Sequence, residues 1–254
     1  MFPIRDNVPA RRPPVATLVI IGVNTLVFLF ELTLNQAQMQ GLFYHYGLVP
    51  ARLTNPLWAA QTGLGFSLLP FLTTQFLHGG WFHLLGNMWM LWIFGDNVED
   101  RLGSGRFIVF YLTCGGAAGL LHFLTNWSST VPAVGASGAI AGVLGAYFLL
   151  HPGARVLTLI PVFFYPLFVE IPAAVFLGLW FLMQLFSGAV ALLGPGGGIA
   201  WWAHIGGFLA GMLWVRRGER RPPPYTHVHF PQGPSGPPVI DIEPSRRDPR
   251  REPW

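Results

Sequence analysis

Gly135-Ala136-Ser137-Gly138-Ala139-Ile140-Ala141-Gly142-Val143-Leu144-Gly145 is the stretch that decides how this chain is read. It is apolar enough for a membrane helix, yet glycines recur through it at helical spacing and a serine stands near its start. Small residues let helix backbones approach closely in lipid. A second glycine-rich run carries a lone histidine, His204, 67 residues further on, in Ala203-His204-Ile205-Gly206-Gly207-Phe208-Leu209-Ala210-Gly211. Gly138 and Gly142 form one pair of small residues four apart, and Gly207 and Gly211 form another. Such pairs permit the close packing that a serine–histidine hydrogen bond requires.

Of the 254 residues, 52% are hydrophobic and only 10% charged, with a mean hydropathy of +0.47. A soluble domain averages about 25% charged residues, so lipid solvates much of this chain. All 15 basic residues are arginine, and the net charge is +4. Their uneven placement bears on membrane orientation rather than on nucleic acid. Cys114 is the single cysteine, which excludes an intrachain disulfide; it reads as a buried small side chain. The apolar run Thr17 to Leu34 is longer than the roughly 7–15-residue core of a signal peptide and reads as a retained span.

A membrane-spanning helix takes about 20 mostly apolar residues. By that measure the spans are 16–34, 81–97, 106–125, 134–151, 170–187 and 200–215, the second weakened by His83 and Asn87. The apolar stretch 156–169 holds Pro161 and Pro166, is too short to cross alone, and reads as an interfacial connection. With six spans the arginines sort to one side. Arg5, Arg11, Arg12, Arg101, Arg106, Arg155, Arg216, Arg217, Arg220 and Arg221 flank one face, and the opposite loops hold only Arg52. This asymmetry predicts that both termini are cytoplasmic. The expected fold is an all-α membrane protein, a six-transmembrane-helix bundle over 16–216. A cytoplasmic N-terminus (1–15) precedes it, and a disordered Pro/Arg-rich cytoplasmic tail (217–254) follows. The long first connection, about 35–80, carries Phe43, Tyr44, Tyr46, Trp58 and Phe66, which suit a segment lying in the membrane interface.

Topology then gives each polar residue a depth. Spans 2, 4 and 6 enter from the face opposite the termini. Ser137 and His204 fall about one turn into their spans, and His83 and Asn87 within the first two turns of theirs, at about 1.5 Å rise per residue. All four share one layer. His83 and Asn87, four residues apart, project from one helix face. A serine hydroxyl is a poor nucleophile until a base takes its proton, and a neutral histidine suits that task. Acyl transfer also needs donors where charge develops on the carbonyl oxygen. The Ser137 N–H, the Asn87 amide and the His83 ring are candidates. No aspartate lies near enough in sequence or depth to complete a triad, which leaves a Ser–His dyad.

At these residues the chain resembles the rhomboid intramembrane serine proteases, over roughly 15–216. The resemblance rests on Gly-Ala-Ser-Gly at 135–138 with the run at 203–211, and on His78-x4-His83-x3-Asn87. It rests also on Gly95-Asp96-Asn97-Val98-Glu99 followed by Leu102-Gly103-Ser104-Gly105-Arg106. It implies Ser137 as nucleophile, His204 as general base, and His83 and Asn87 in the oxyanion hole. It further implies cleavage of single-pass membrane proteins near the outer face, water entering through a cavity, and a flexible cap at Gly194 to Gly198. Many relatives have an aromatic residue four positions after the nucleophile, packed on the histidine. This chain has Ala141, so a neighbour such as Trp201 or Trp202 is expected to hold His204 instead. The first loop has Tyr44, Arg52 and Trp58 where some members have a Trp-Arg pair.

Other polar positions fit lesser roles. Glu99 reads as bonding loop backbone, Glu170 as capping the fifth span, and Glu31 as interfacial. His45, His122 and His151 lack ligand-like spacing, and without an H-E-x-x-H motif no metal or other cofactor is expected. The implied partners are single-pass membrane substrates and the bilayer. The compact six-span form points to a bacterial inner membrane. A transporter using His83, Asn87 and His204 predicts a polar path to the far face, but beyond Ser137 the span is Ala, Ile, Val, Leu and Gly. A non-catalytic, helix-binding relative would ordinarily have lost the serine or the histidine.

Overall fold

The computed structural model describes residues 1–163, 165–191 and 200–218. The expected cap at Gly194 to Gly198, and the tail beyond Gly218, lie outside the described residues. The chain is mostly helical. Strand β1 (Phe2–Asp6) precedes α1 (Val15–Glu31); α2 (Gln36–Tyr46), α3 (Ala51–Thr54), α4 (Pro56–Thr62) and α5 (Pro70–Thr73) follow. Then come α6 (Trp81–Leu102), α7 (Ser104–Thr125), α8 (Ser137–Leu150), β2 (Arg155–Val162), β3 (Tyr165–Pro172), α9 (Ala173–Ala191) and α10 (Trp201–Gly218). By length and composition α7 and α9 are long and apolar enough to cross a bilayer, while α1 and α8 are shorter apolar helices. Polar side chains such as His83, Asn87, Asp96 and Glu99 dilute the hydropathy of α6.

The glycine-rich α8 is the centre of the packing, buried from Gly138 through Tyr147. Its approach to α10 is backbone on backbone. A methyl group added at Gly207 would land on the Gly138 carbonyl oxygen, and one at Gly211 on that of Gly142. One at Gly145 would strike the Phe208 carbonyl. Beside that contact Cys114 of α7 presses against Gly142, and its side chain is fully buried. Large apolar side chains on α1 (Leu26, Phe30), α7 (Val109, Leu124) and α9 (Leu182, Phe186) instead face outward. Apolar exteriors around a small-residue interior are what lipid solvation permits.

Buried polar side chains tie the helices end to end. Glu99 receives the Ala16 N–H (2.8 Å), the Thr17 N–H (2.7 Å), the Thr17 hydroxyl (2.8 Å) and the Ser104 hydroxyl (2.6 Å). It therefore satisfies the first turn of α1, where the unpaired N–H groups and the helix dipole both favour a carboxylate. Gly103, at φ +79, forms the one-residue turn that brings Ser104 back to it. Glu31, expected at the interface, turns inward to the protein. It is fully buried and accepts the His78 N–H at 3.2 and 3.3 Å, joining the end of α1 to the entrance of α6.

The all-α expectation is corrected by a three-stranded antiparallel sheet, ordered β1-β2-β3. The stretch read as an interfacial connection is a hairpin in which Val156 pairs with Ile171 and Pro161 with Pro166. Val156 and Thr158 are buried while Arg155 is exposed, the two-residue period of a strand with one covered face. Pairing the two prolines opposite each other near the hairpin end leaves the buried part of the ladder intact. Glu170 sits in β3 opposite Leu157 instead of capping α9. The N-terminal segment supplies β1, and there Asp6 accepts the Tyr147 hydroxyl (2.6 Å) and the Asn97 amide (2.7 Å).

Two consequences are open to measurement. Overpacking a tight site costs about 1–3 kcal/mol, so Gly207→Ala should lower the unfolding midpoint in detergent. Gly116→Ala, where an added methyl meets nothing within 4 Å, should leave it unchanged or slightly higher; equal midpoints would contradict the backbone contact. Burial raises the Asp6 carboxyl from 3.8 to about 6, against the opposing pull of the Tyr147 hydroxyl and the Val8 N–H. The folded protein therefore holds this proton more tightly than the unfolded chain. The stability it contributes is complete below about pH 4 and lost as pH rises through about 6. Asp6→Asn should flatten that part of the stability–pH curve, as read from midpoints across pH 4–7.

Candidate active site

The segment entering α8 is pinned before the helix begins. Leu48 and Ala133 exchange backbone hydrogen bonds (3.0 and 2.9 Å), and the Gly135 N–H donates to the Thr74 carbonyl at 2.9 Å. Gly135 has φ +130, a conformation that favours glycine, so helical geometry cannot extend back through it. Ser137 is consequently the first residue of α8, not one turn into it as the sequence suggested. Its N–H precedes the first intrahelical bond, from Ile140 N–H to the Ala136 carbonyl (3.0 Å), and lies at the positive end of the helix dipole.

Across from it, His204 sits one turn into α10, and the close backbone contact below brings the two side chains together. The Ser137 hydroxyl lies 2.8 Å from His204 Nε2. The other ring nitrogen, Nδ1, lies 2.8 Å from Gln184 Oε1 on α9. An amide oxygen only accepts, so the imidazole proton is on Nδ1 and Nε2 is free to accept from the serine.

These side chains open onto a cavity of about 620 Å³ whose lining includes His83, Asn87, His122 and Trp180. One and two turns further along α8, Ile140, Ala141 and Leu144 line it with apolar surface. The polar path that a transporter would need is thus interrupted here. The Asn87 amide nitrogen is buried and has no hydrogen-bond partner among the described residues. His83 Nδ1 accepts a long bond from the Gly79 N–H (3.4 Å), which puts the ring proton on Nε2. That atom faces Gly135: a methyl group there would stand 2.6 Å from His83 Nε2 and 3.7 Å from Ser137 Oγ. Behind His83 stands His78, with ring centroids 5.2 Å apart.

The four residues singled out by depth, Ser137, His204, His83 and Asn87, therefore line one cavity. Trp201 stands edge-on to His204 at 6.4 Å, but Trp180 is nearer at 5.9 Å, and the polar contact is Gln184. Sequence reasoning missed Gln184, although it is a rare polar side chain in an apolar helix, which is a signal in itself. In the first connection Arg52 donates to the His45 carbonyl (2.8 Å) and the Gly65 carbonyl (2.7 Å), and Tyr44 lies 6.4 Å from Trp58. Those contacts organise the segment expected to lie in the interface.

The description of the rhomboid domain matches residues 65–218, more than half of the chain. The chain belongs to the rhomboid family, and with that comes the family's association with intramembrane proteolysis. Rhomboid protein 1, mitochondrial, of Saccharomyces cerevisiae is 31% identical over 157 residues, covering 58% of this chain and 41% of that protein. Presenilin-associated rhomboid-like protein, mitochondrial, of Homo sapiens is 29% identical over 158 residues, covering 59% and 38%. Rhomboid protease GluP of Bacillus subtilis is 45% identical over 75 residues, covering 30% and 14%. The chain thus spans about two fifths of the length of the mitochondrial relatives. The expected bacterial inner membrane is overturned by these names: the compact domain on which it rested is shared with proteins named mitochondrial.

Gly135→Ala tests the geometry around His83. Its methyl group both strains the backbone and displaces the ring. The variant is expected to keep its helical circular dichroism while its serine reacts at least tenfold more slowly with a fluorophosphonate, as when an oxyanion donor is lost. An unchanged rate would separate His83 from the reacting serine.

Proposed function

We propose that the chain is an intramembrane serine endopeptidase that hydrolyses peptide bonds of transmembrane substrates with a Ser137–His204 dyad. The supporting observation is the Ser137 hydroxyl 2.8 Å from His204 Nε2, at a helix N-terminus that opens on a polar cavity. In this reading Ser137 Oγ attacks the scissile carbonyl carbon while its proton passes to His204 Nε2. Negative charge gathers on the former carbonyl oxygen and is met by the Ser137 N–H, the Asn87 amide and His83 Nε2–H. Collapse expels the amine, which takes the proton from His204 and leaves an acyl ester on Ser137. Water from the cavity, activated by the same histidine, hydrolyses the ester and restores the serine.

Each donor contributes differently. The helix N-terminus offers a fixed dipole, and Asn87 an amide nitrogen that has no other hydrogen-bond partner to surrender among the described residues. Losing one such donor typically costs about 10²–10³ in rate. The domain reading is a six-helix membrane bundle of α1, α6, α7, α8, α9 and α10, with its cavity at the end remote from β1. Single-pass membrane proteins are the substrate class, cut near the membrane face on which that cavity opens, and the bilayer is the other partner.

Labelling with a fluorophosphonate in detergent tests the assignment. Wild type should label, and Ser137→Ala and His204→Ala should not, with unfolding midpoints close to wild type. Persistent labelling of Ser137→Ala would remove Ser137 as the nucleophile.

A further inference from the structure

The rhomboid pattern usually places a ring against the histidine from the nucleophile's own helix, and this chain has no such ring. Ala141 is fully buried, 3.4 Å from where a methyl on Gly207 would stand, so it belongs to the tight α8–α10 contact. The histidine is instead met from α9. Trp180, Gln184 and Gly188 are spaced four apart and lie on one face of that helix. Trp180 lies 5.9 Å from the His204 ring, with the planes at 37°, and Gln184 Oε1 lies 2.8 Å from Nδ1. Gly188 leaves room for Trp201 and Trp202, each 3.4 Å from a methyl placed there. Gln184 is only 3% exposed, so water competes little for either partner.

We propose that Gln184 is a positioning residue for the hydrolysis, its side-chain oxygen holding His204 in the tautomer and ring orientation that leave Nε2 directed at Ser137. A neutral imidazole carries one proton. While Gln184 Oε1 accepts it at Nδ1, Nε2 presents a lone pair to the serine hydroxyl 2.8 Å away. Without that acceptor the proton can move to Nε2, where it opposes the serine proton and leaves the nucleophile unactivated. The unit is therefore Ser137–His204–Gln184, with a neutral amide where a triad of the Ser-His-Asp kind has a carboxylate. Because Gln184 is on α9 while the dyad is on α8 and α10, the seating of α9 decides whether the base is aligned.

This role presupposes the Ser137–His204 chemistry proposed above, and the two can fail separately. The full chain in detergent is reacted with a fluorophosphonate from pH 5 to 9, and the maximal rate is separated from the half-saturating concentration. Gln184→Met keeps the length and apolar packing but removes the acceptor. It should lower the maximal rate roughly 10- to 100-fold, less than the about 10⁴-fold for losing a triad's aspartate, because an amide orients without adding a full charge. Its half-saturating concentration and unfolding midpoint should stay within twofold and about 2 °C of wild type. Gln184→Glu can only accept. It should recover most of the rate at pH 8, with the acid limb of the profile moved to higher pH, because a carboxylate stabilises the protonated ring.

A Gln184→Met protein with the rate and pH profile of wild type would overturn the proposal. Should Gln184→Met not fold, Gln184→Glu carries the test alone, and an acid limb identical to wild type would overturn it. Labelling of Ser137→Ala in the same series would instead overturn the dyad itself.

Discussion

The carbonyl oxygens of Gly138 and Gly142 lie where side chains of α10 would otherwise stand, and much of the molecule depends on that contact. Without a hydrophobic driving force between helices in lipid, close van der Waals packing is what holds them. Gly207 and Gly211 provide it by presenting no side chain. A single methyl group at either would push α10 outward and take His204 with it. The 2.8 Å separation of Ser137 and His204 is thus set by residues that do no chemistry. With Ala141 in that contact and presenting no ring, the histidine is met from α9.

On α8 polar side chains are confined to the two ends of the helix. At one end Ser137 opens α8 onto the cavity; near the other, Tyr147 donates to Asp6 of β1, which also holds Asn97. Between them α8 is glycine, alanine and aliphatic. Glu99 and Glu31 are buried carboxylates, and each satisfies backbone N–H groups: those opening α1, and that of His78 before α6. Unsatisfied N–H groups in an apolar medium cost several kcal/mol each. Carboxylates used in this way join helix ends that small apolar contacts could not align.

Much of the site was legible because depth in a membrane can be counted. Sorting the arginines gave the helices a direction, and a fixed rise per residue then put Ser137, His204, His83 and Asn87 in one layer. The same count applied to α9 would have brought Gln184 near that layer. In the six-span scheme that helix runs opposite to the three carrying Ser137, His204, His83 and Asn87, so counting from their common face does not reach it. The hairpin was missed for a different reason. Its stretch 156–169 is almost wholly apolar in sequence, and the two-residue alternation of burial appears only once β1 and the helices cover one face. Glu31 looked interfacial because it ends an apolar run; the loop carrying His78 folds back over it.

By itself the sequence determined which residues are small, which are polar, and how far along a helix each one lies. Those quantities are local, and they suffice to say that a serine and a histidine can meet and that glycines permit it. The tertiary structure decided where α8 begins, because hydrogen bonds from Leu48 and Thr74 stop the helix short of Gly135 and leave the Ser137 N–H unpaired within it. It also decided the partner of His204 Nδ1. That choice depends on how α9 rotates against α10, an angle set by packing between elements and written in no single stretch of the chain.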